Sequence, residues 1–254
     1  MITTFKFGIR VGMNNEKYSN KKYSVSVIIP CYNEEGNIEN CIKRIPKLGK
    51  YTEIIVVDDG SKDKTAGIVR SLQRKNSNLK LISYSPNKGK GNAVRVGLDA
   101  GKGDILLILD ADMTVAPEEL PNFIKPFEEG KAQFTNGTRF TYRMEKGAMK
   151  KLNLLGNRLM GLIFSLALGQ KITDSLCGTK VLFKKDYKKN GISKDDPWGD
   201  FSLLFGAAKQ GLKIYEVPVH YKARVAGKSK MKIFQHGIKL FKVWFTLYQN
   251  YRRL

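Results

Sequence analysis

Between residues 24 and 109, four short apolar runs alternate with segments of helical pattern, and no other feature constrains the fold as tightly. The runs are 24–30, 53–57, 79–83 and 104–109, and the helical segments between them are 37–48, 64–75 and 90–101. Runs this short, rich in Val, Ile and Leu, read as strands, and the continuously apolar 104–109 reads as a buried parallel one. Strand and helix in alternation require crossover connections, so the spacing predicts a parallel, doubly wound α/β sheet. Such sheets bind ligands beyond the carboxyl ends of their strands. The residues that end each run are therefore the first candidates for function.

Asp110-Ala111-Asp112 comes directly after the fourth run. Hard carboxylate oxygens suit Mg²⁺ or Mn²⁺, and a metal held there would clamp the diphosphate of a nucleotide. The same pair also reads as a strand ending in a solvated acidic turn. Pro30-Cys31-Tyr32-Asn33-Glu34-Glu35 closes the first run, Asp58-Asp59-Gly60-Ser61 the second and Asn87-Lys88-Gly89-Lys90-Gly91-Asn92 the third. Tyr32 offers a ring for stacking on a base, and Asp59 an acceptor for a base N–H. Gly60 frees the backbone for a tight turn, and the Gly89/Gly91 loop lets a helix N-terminus approach an anion. Asp58 and Ser61 read equally well as turn and cap chemistry. Neither a Walker A pattern nor a GxGxxG fingerprint is present.

The second half is less regular. Strands are expected at 132–137, 179–183 and 214–221, the last at an edge or bulge because it contains Pro218. Helices are expected at 149–168 and at 201–210, the latter stopped by Gly211. After Glu216 the chain carries no acid, and 232–254 has a helical pattern. Phe234, Ile238, Phe241, Phe245 and Tyr248 form one apolar row and Leu240, Trp244, Leu247 and Tyr251 the next. Gln235, Lys239, Lys242, Thr246 and Gln249 form a polar row. This describes a helix at a membrane interface, or one packed on its own domain or on a second subunit.

Composition narrows the setting. Lys+Arg 45 against Asp+Glu 23 gives a net charge of +22, which favours polyanions such as nucleic acid or an anionic membrane surface. Cys31, Cys41 and Cys177 are odd in number and lack CxxC spacing, which argues against a disulfide framework or structural zinc and for a reducing compartment. Residues 1–22 form a polar, basic arm with no apolar signal core. No apolar run reaches the roughly 20 residues of a spanning helix; the nearest, 152–169, contains Arg158. The expectation is a cytoplasmic protein, peripheral on the cytoplasmic face of a membrane. No nucleic-acid reader motif is recognisable, and nucleic acid is not expected as a partner.

The four strand-end blocks, at 25–35, 53–65, 87–98 and 104–114, resemble those of inverting glycosyltransferases of family 2, which have the GT-A fold. Gly137-Thr138-Arg139 resembles a fifth block. Arg224, Gly227, Ser229 and Lys230 resemble the Arg-x-x-Gly-x-Ser-Lys loop of the dolichyl-phosphate mannose and glucose synthase branch. The similarity spans about 25–231. It implies a GT-A domain over 23–231 with a Rossmann-like, mixed but mostly parallel sheet, followed by the amphipathic helix 232–254.

The resemblance also implies roles. Pro30, Tyr32, Glu34, Val57 and Asp59 would hold the nucleoside. Asp110, Ala111 and Asp112 would contact the diphosphate and a Mg²⁺ or Mn²⁺ ion, with Asp112 the principal ligand. Arg139, Arg224 and Lys230 would neutralise phosphates of donor and acceptor, and Arg158 is either an acceptor-phosphate ligand or a snorkelling interfacial residue. The implied reaction moves a hexose from a UDP- or GDP-linked donor to a polyprenyl or dolichyl phosphate; the alternative acceptor is a saccharide or another non-lipid molecule. An integral membrane protein is a further partner consistent with that setting.

The chain departs from the family pattern at three places. Thr114 stands just past the Asp-x-Asp pair, where a polar amide is common. Asp174-Ser175-Leu176-Cys177-Gly178-Thr179-Lys180 replaces a Gly-Phe-Arg block. Asp200 precedes its helix, and is read as a general base, as the helix N-cap or as a substrate-positioning group.

Overall fold

A computed structural model describes residues 22–145, 148, 149, 151–224 and 233–252. The arm at 1–22 lies, except for Lys22, outside the described residues. The first half alternates as the apolar runs predict. Strands β1 (Ser24–Cys31), β2 (Tyr51–Asp58), β3 (Leu79–Ser83) and β4 (Ile105–Ile108) are separated by helices α1 (Ile38–Lys43), α2 (Thr65–Gln73) and α3 (Lys90–Ala100). The second half adds α4 (Leu120–Glu128), β5 (Phe134–Thr138), α5 (Lys151–Leu168), β6 (Lys180–Phe183), α6 (Lys184–Asn190), α7 (Asp200–Lys209), β7 (Ile214–Pro218) and α8 (Ile233–Arg252).

The strands form one seven-stranded sheet in the order β3-β2-β1-β4-β6-β5-β7. β1 pairs in parallel with β2 and β4, β2 with β3, and β5 with β7; β6 runs antiparallel to both β4 and β5. The sheet is mixed and mostly parallel. Chain order moves outward from β1 through β2 to β3 and then returns to the other side of β1 at β4. That return opens a crevice at the carboxyl ends of β1 and β4.

Period-2 alternation assigns the two faces. Ile105 and Leu107 join Val27, Ile29, Val56 and residues of α1, α2 and α4 in one core. Leu106 and Ile108 join Ile28 and residues of α3, α5, α6, α7 and α8 in the other.

Three expectations shift. α1 ends at Lys43 rather than at 48, because Pro46 disfavours helical backbone at Ile45. α4 escapes the sequence pattern because Pro121 and Pro126 look like breakers; Pro121 sits in the first turn, where the missing N–H costs nothing. The last strand stops at Pro218, and β7 is an edge strand.

α8 buries Leu240, Val243 and Leu247, with Trp244, Tyr248 and Tyr251 packed partly against the same core. Ile238, Phe241 and Phe245 stay exposed. The helix is therefore packed on its own domain along one face and bare along another. No helix among the described residues is long and apolar enough to cross a membrane.

Candidate active site

β1 and β4 are in register from Val25↔Ile105 to Ile28↔Ile108, and Leu109 N donates to Ile28 O at 2.9 Å. Two residues further along each strand stand Pro30 and Asp110. Pro30 also pairs with Val57 across to β2, and both are buried. Tyr32 and Glu34 come next on the loop, half-buried. Asn33 and Met113 are the positive-φ residues other than glycine among those described, at 53° and 55°, and both flank this crevice.

The β1–α1 and β2–α2 loops are stitched together by side chains. Asn33 N donates to Ser61 Oγ (2.9 Å), Lys62 N to Asn33 Oδ1 (2.8 Å) and Glu34 N to Thr65 Oγ1 (2.9 Å). Asp58 accepts from Ser61 N (3.1 Å) and Ser83 Oγ (2.9 Å), which is turn chemistry. Asp59 is buried, and its two oxygens accept from Lys88 N and Gly89 N, each at 2.8 Å. Its carboxylate thus fixes the loop that starts α3. A Cβ on Gly91 would lie 2.5 Å from Asp196 O, so Gly91 permits contact between α3 and the 196–197 segment.

Both acids of the Asp-x-Asp pair meet a cation. Lys90 Nζ lies 2.7 Å from Asp110 Oδ1 and 3.0 Å from its Oδ2. Burial opposes the charged form of Asp110, but Lys90, Arg224 and Lys180 outweigh it and hold its carboxyl below the usual range. Asp112 Oδ1 accepts from Thr114 N (3.0 Å) and Oγ1 (2.8 Å), while Oδ2 lies 2.7 Å from Arg224 Nη2. Thr114 therefore orients Asp112. Arg224 is delivered by a strap after β7: Val219 N donates to Thr138 O, and Lys222 N to Thr114 O at 2.9 Å. The strap is pinned further by His220 N donating to Glu119 and by a His220–Tyr142 ring stack, 4.2 Å between centroids. Lys230 lies outside the described residues.

Arg139 is engaged differently from the expectation. Its Nε and Nη2 donate to Asp174 Oδ2 (2.6 Å) and Oδ1 (2.7 Å), with both side chains buried. This bidentate pair ties the end of β5 to the Asp174 loop, which Glu216 anchors by accepting from Thr173 N at 2.8 Å. Arg158 is exposed on α5, with its guanidinium 5.9 Å from the Phe140 ring centroid.

Asp200 is not the helix cap. Gly199, at φ 84°, holds the N-cap position, and Asp196 supplies the capping oxygens, accepting from Trp198 N, Gly199 N and Ser202 N. Asp200 Oδ1 instead accepts from the fully buried Lys180 Nζ at 2.8 Å. Lys180 also donates to the Cys177 carbonyl, just before Gly178. A Cβ on Gly178 would lie 2.2 Å from Asp110 Oδ2 and 2.9 Å from Lys90 Nζ. Asp110, Lys90, Gly178, Lys180 and Asp200 thus form one packed floor.

Gly178→Ala should push Asp110 and Lys90 aside and cut turnover about a hundredfold, the order expected for a displacement near 1 Å, with a melting temperature near wild type. Steady-state kinetics beside thermal unfolding measures both. Full activity would show that the floor does not set the geometry.

Lys90, Asp174, Lys180 and Asp196 stand in no sequence pattern that announces their ion pairs and caps. Lys180 left one signal: a charged residue opening an otherwise apolar strand, Lys180-Val181-Leu182-Phe183.

An Asp-x-Asp pair at the β1/β4 switch point of a sheet in this order is the arrangement of GT-A glycosyltransferases. A family model described as Glycosyl transferase family 2 matches residues 26–191, and the chain belongs to that family. It is 28% identical over 213 residues to an undecaprenyl-phosphate 4-deoxy-4-formamido-L-arabinose transferase of Shewanella sediminis (strain HAW-EB3), covering 81% of this chain and 61% of the relative. It is 30% identical over 215 residues to the protein of the same name from Enterobacter sp. (strain 638), covering 82% and 62%. The matches thus span about three fifths of these relatives. Among solved structures, glucosyl-3-phosphoglycerate synthase from Mycobacterium tuberculosis, in complex with Mn²⁺, UDP and glucosyl-3-phosphoglycerate, is similar with a TM-score of 0.67. The identity is 23%, covering 89% of this chain and 79% of that one. That likeness establishes the GT-A fold.

Proposed function

We propose that the chain catalyses inverting transfer of a sugar from a nucleotide-linked donor to the phosphate of a polyprenyl or dolichyl phosphate, at the cytoplasmic face of a membrane. The observation that carries this reading is the seating of Arg224, first residue of the Arg-x-x-Gly-x-Ser-Lys segment, directly on Asp112. That contact brings a phosphate-binding type of side chain to the acids that would clamp the donor diphosphate. The names of the curated relatives support a polyprenyl-phosphate acceptor. Their sugar is an arabinose derivative, so the proposal extends to any glycosyl group and not to a hexose alone.

Pro30, Tyr32, Glu34, Val57 and Asp59 line or brace the nucleoside end of the crevice. Asp110 and Asp112 would hold Mg²⁺ or Mn²⁺. Two carboxylates, completed by substrate phosphate oxygens, are a donor set that fits such an ion. When bound, the metal supplies Lewis-acid stabilisation of the leaving nucleoside diphosphate. Lys90 moderates the charge of Asp110 and, with Arg224, screens the approach of two phosphates. The Arg139–Asp174 pair orients the acceptor side by fixing the end of β5. Asp200, held by Lys180, presents its second carboxylate oxygen to a sugar hydroxyl.

No strong general base is required. A monophosphate ester has a second pKa of about 6 and is already nucleophilic at neutral pH. The rate should therefore rise with pH through about 6 as the acceptor loses its second proton. Polyprenyl phosphate should be used and the free polyprenol should not. Equal transfer to the free alcohol would reject a phosphate acceptor and return Asp200 to the role of base. α8 holds the domain at the lipid surface, where its exposed Ile238, Phe241 and Phe245 meet the interface and Lys239 and Lys242 meet anionic headgroups.

A further inference from the structure

α5 buries Phe164 and Leu168, with Met160 packed partly beside them. Gly161 lets the helix lie directly on the 172–173 backbone, since a Cβ there would meet Thr173 O at 2.5 Å. The rest of its surface is unusual. Leu152, Leu155, Leu159, Leu162 and Leu166 are 51%, 67%, 56%, 57% and 78% exposed. Spacings of three and four residues place all five on one stripe of the helix. Isolated exposed leucines need no explanation, but a row of five on one helix does.

Charge decides what covers the stripe. From Glu145 to Asp174 the sequence has no acid between, and it carries Lys146, Lys150, Lys151, Arg158 and Lys171. A second copy would set the exposed Arg158 against a helix that offers no acid to pair with it. An anionic lipid surface supplies both an apolar layer for the leucines and phosphates for the cations. α8, which packs against α5, repeats the pattern: exposed Ile238, Phe241 and Phe245, and no acid after Glu216. Arg158 lies between Leu155 and Leu159 in sequence. The Phe140 ring centroid is 5.9 Å from its guanidinium and also 5.9 Å from that of Arg139. The stripe therefore borders the acceptor side of the crevice.

We propose that α5 is a second membrane-docking helix, its leucine stripe seated in an anionic bilayer surface with Arg158 at the edge nearest the crevice. This rests on the reading of a lipid-linked acceptor and deepens it. Docking is carried by two helices well separated in sequence, and α5 sets the height of the site.

The test is flotation of the full chain with phosphatidylcholine/phosphatidylglycerol vesicles and with phosphatidylcholine alone. Wild type should float with the anionic vesicles, and more weakly at high salt. Leu155→Glu/Leu162→Glu should lower the partition coefficient about tenfold or more, as should Phe241→Glu/Phe245→Glu on α8. Both double variants change exposed side chains and should keep the wild-type melting temperature. Leu159→Trp should show a blue-shifted emission on vesicles.

Loss of flotation in the α8 variant alone, with the α5 variant and Leu159→Trp unaffected, overturns the role of α5 while leaving membrane docking intact. Wild type that never floats overturns both, and sugar transfer to detergent-dispersed polyprenyl phosphate then judges the acceptor reading separately. A dimer in sedimentation velocity that the α5 variant splits, with flotation unchanged, overturns the proposal in favour of a second copy.

Discussion

Asp112→Asn is expected to lower sugar transfer about a thousandfold, the scale on which a group that stabilises developing charge acts. The amide keeps an oxygen where Oδ1 now accepts from Thr114 N and Oγ1, so the turn persists. What is lost is the anionic Oδ2 that faces Arg224 and that would bind the metal. The fold should melt within about 2 °C of wild type, because a change at an already ligated turn of a domain this size costs less than about 1 kcal/mol. Loss of activity with an intact melting curve separates this role from a structural one. Near-normal transfer by Asp112→Asn, or by wild type in excess chelator, would remove the acids from the reaction.

The second large effect is on stability. Asp174→Ala leaves the buried Arg139 guanidinium without its bidentate partner. Breaking a buried pair by removing one member costs about 3–5 kcal/mol, since the remaining charge is uncompensated. At roughly 2–4 °C per kcal/mol for a chain of this length, the melting temperature should fall by about 10 °C. Removing both members, as Arg139→Met/Asp174→Ala, should recover part of that loss because no charge stays stranded. Activity should not recover with it, because the end of β5 loses the tie that fixes it beside the crevice. A melting temperature unchanged in Asp174→Ala would contradict the account of the pair as a structural clamp.

Local pattern carries much of this fold and little of its ion pairing. β1 to β4 are legible because each holds a short cluster of Val, Ile or Leu between turn residues, continuous in β4 and interrupted by Lys80 in the edge strand β3. Asp110 and Asp112 are legible because they end the fourth of those runs. α4 is hidden by its two prolines: Pro121 stands in the first turn, where the missing N–H costs nothing, but Pro126 lies inside the helix, where a sequence pattern reads it as a breaker. The antiparallel insertion of β6 between β4 and β5 leaves no local trace, since pairing partners such as Leu106 and Leu182 are far apart in sequence. The same distance hides the ion pairs. Arg139 is legible as a phosphate-binding type of side chain, but its partner Asp174, thirty-five residues on, is not. Asp200 looks like a cap until Lys180 is seen to hold it and Asp196 to do the capping. In α5 the leucine spacing is visible in the sequence, but which face meets solvent is set only by where Phe164 and Leu168 are buried.

The central claim is transfer to a lipid phosphate. Its most direct measurement incubates the chain with radiolabelled UDP- and GDP-sugars, polyprenyl phosphate, and Mg²⁺ or Mn²⁺, and tracks the label by solvent partition and chromatography. The account predicts label in an organic-soluble, acid-labile polyprenyl-phosphate sugar, formed from at least one donor and abolished by chelator. Label that reaches only a saccharide acceptor, or that enters free polyprenol as readily as its phosphate, would contradict it.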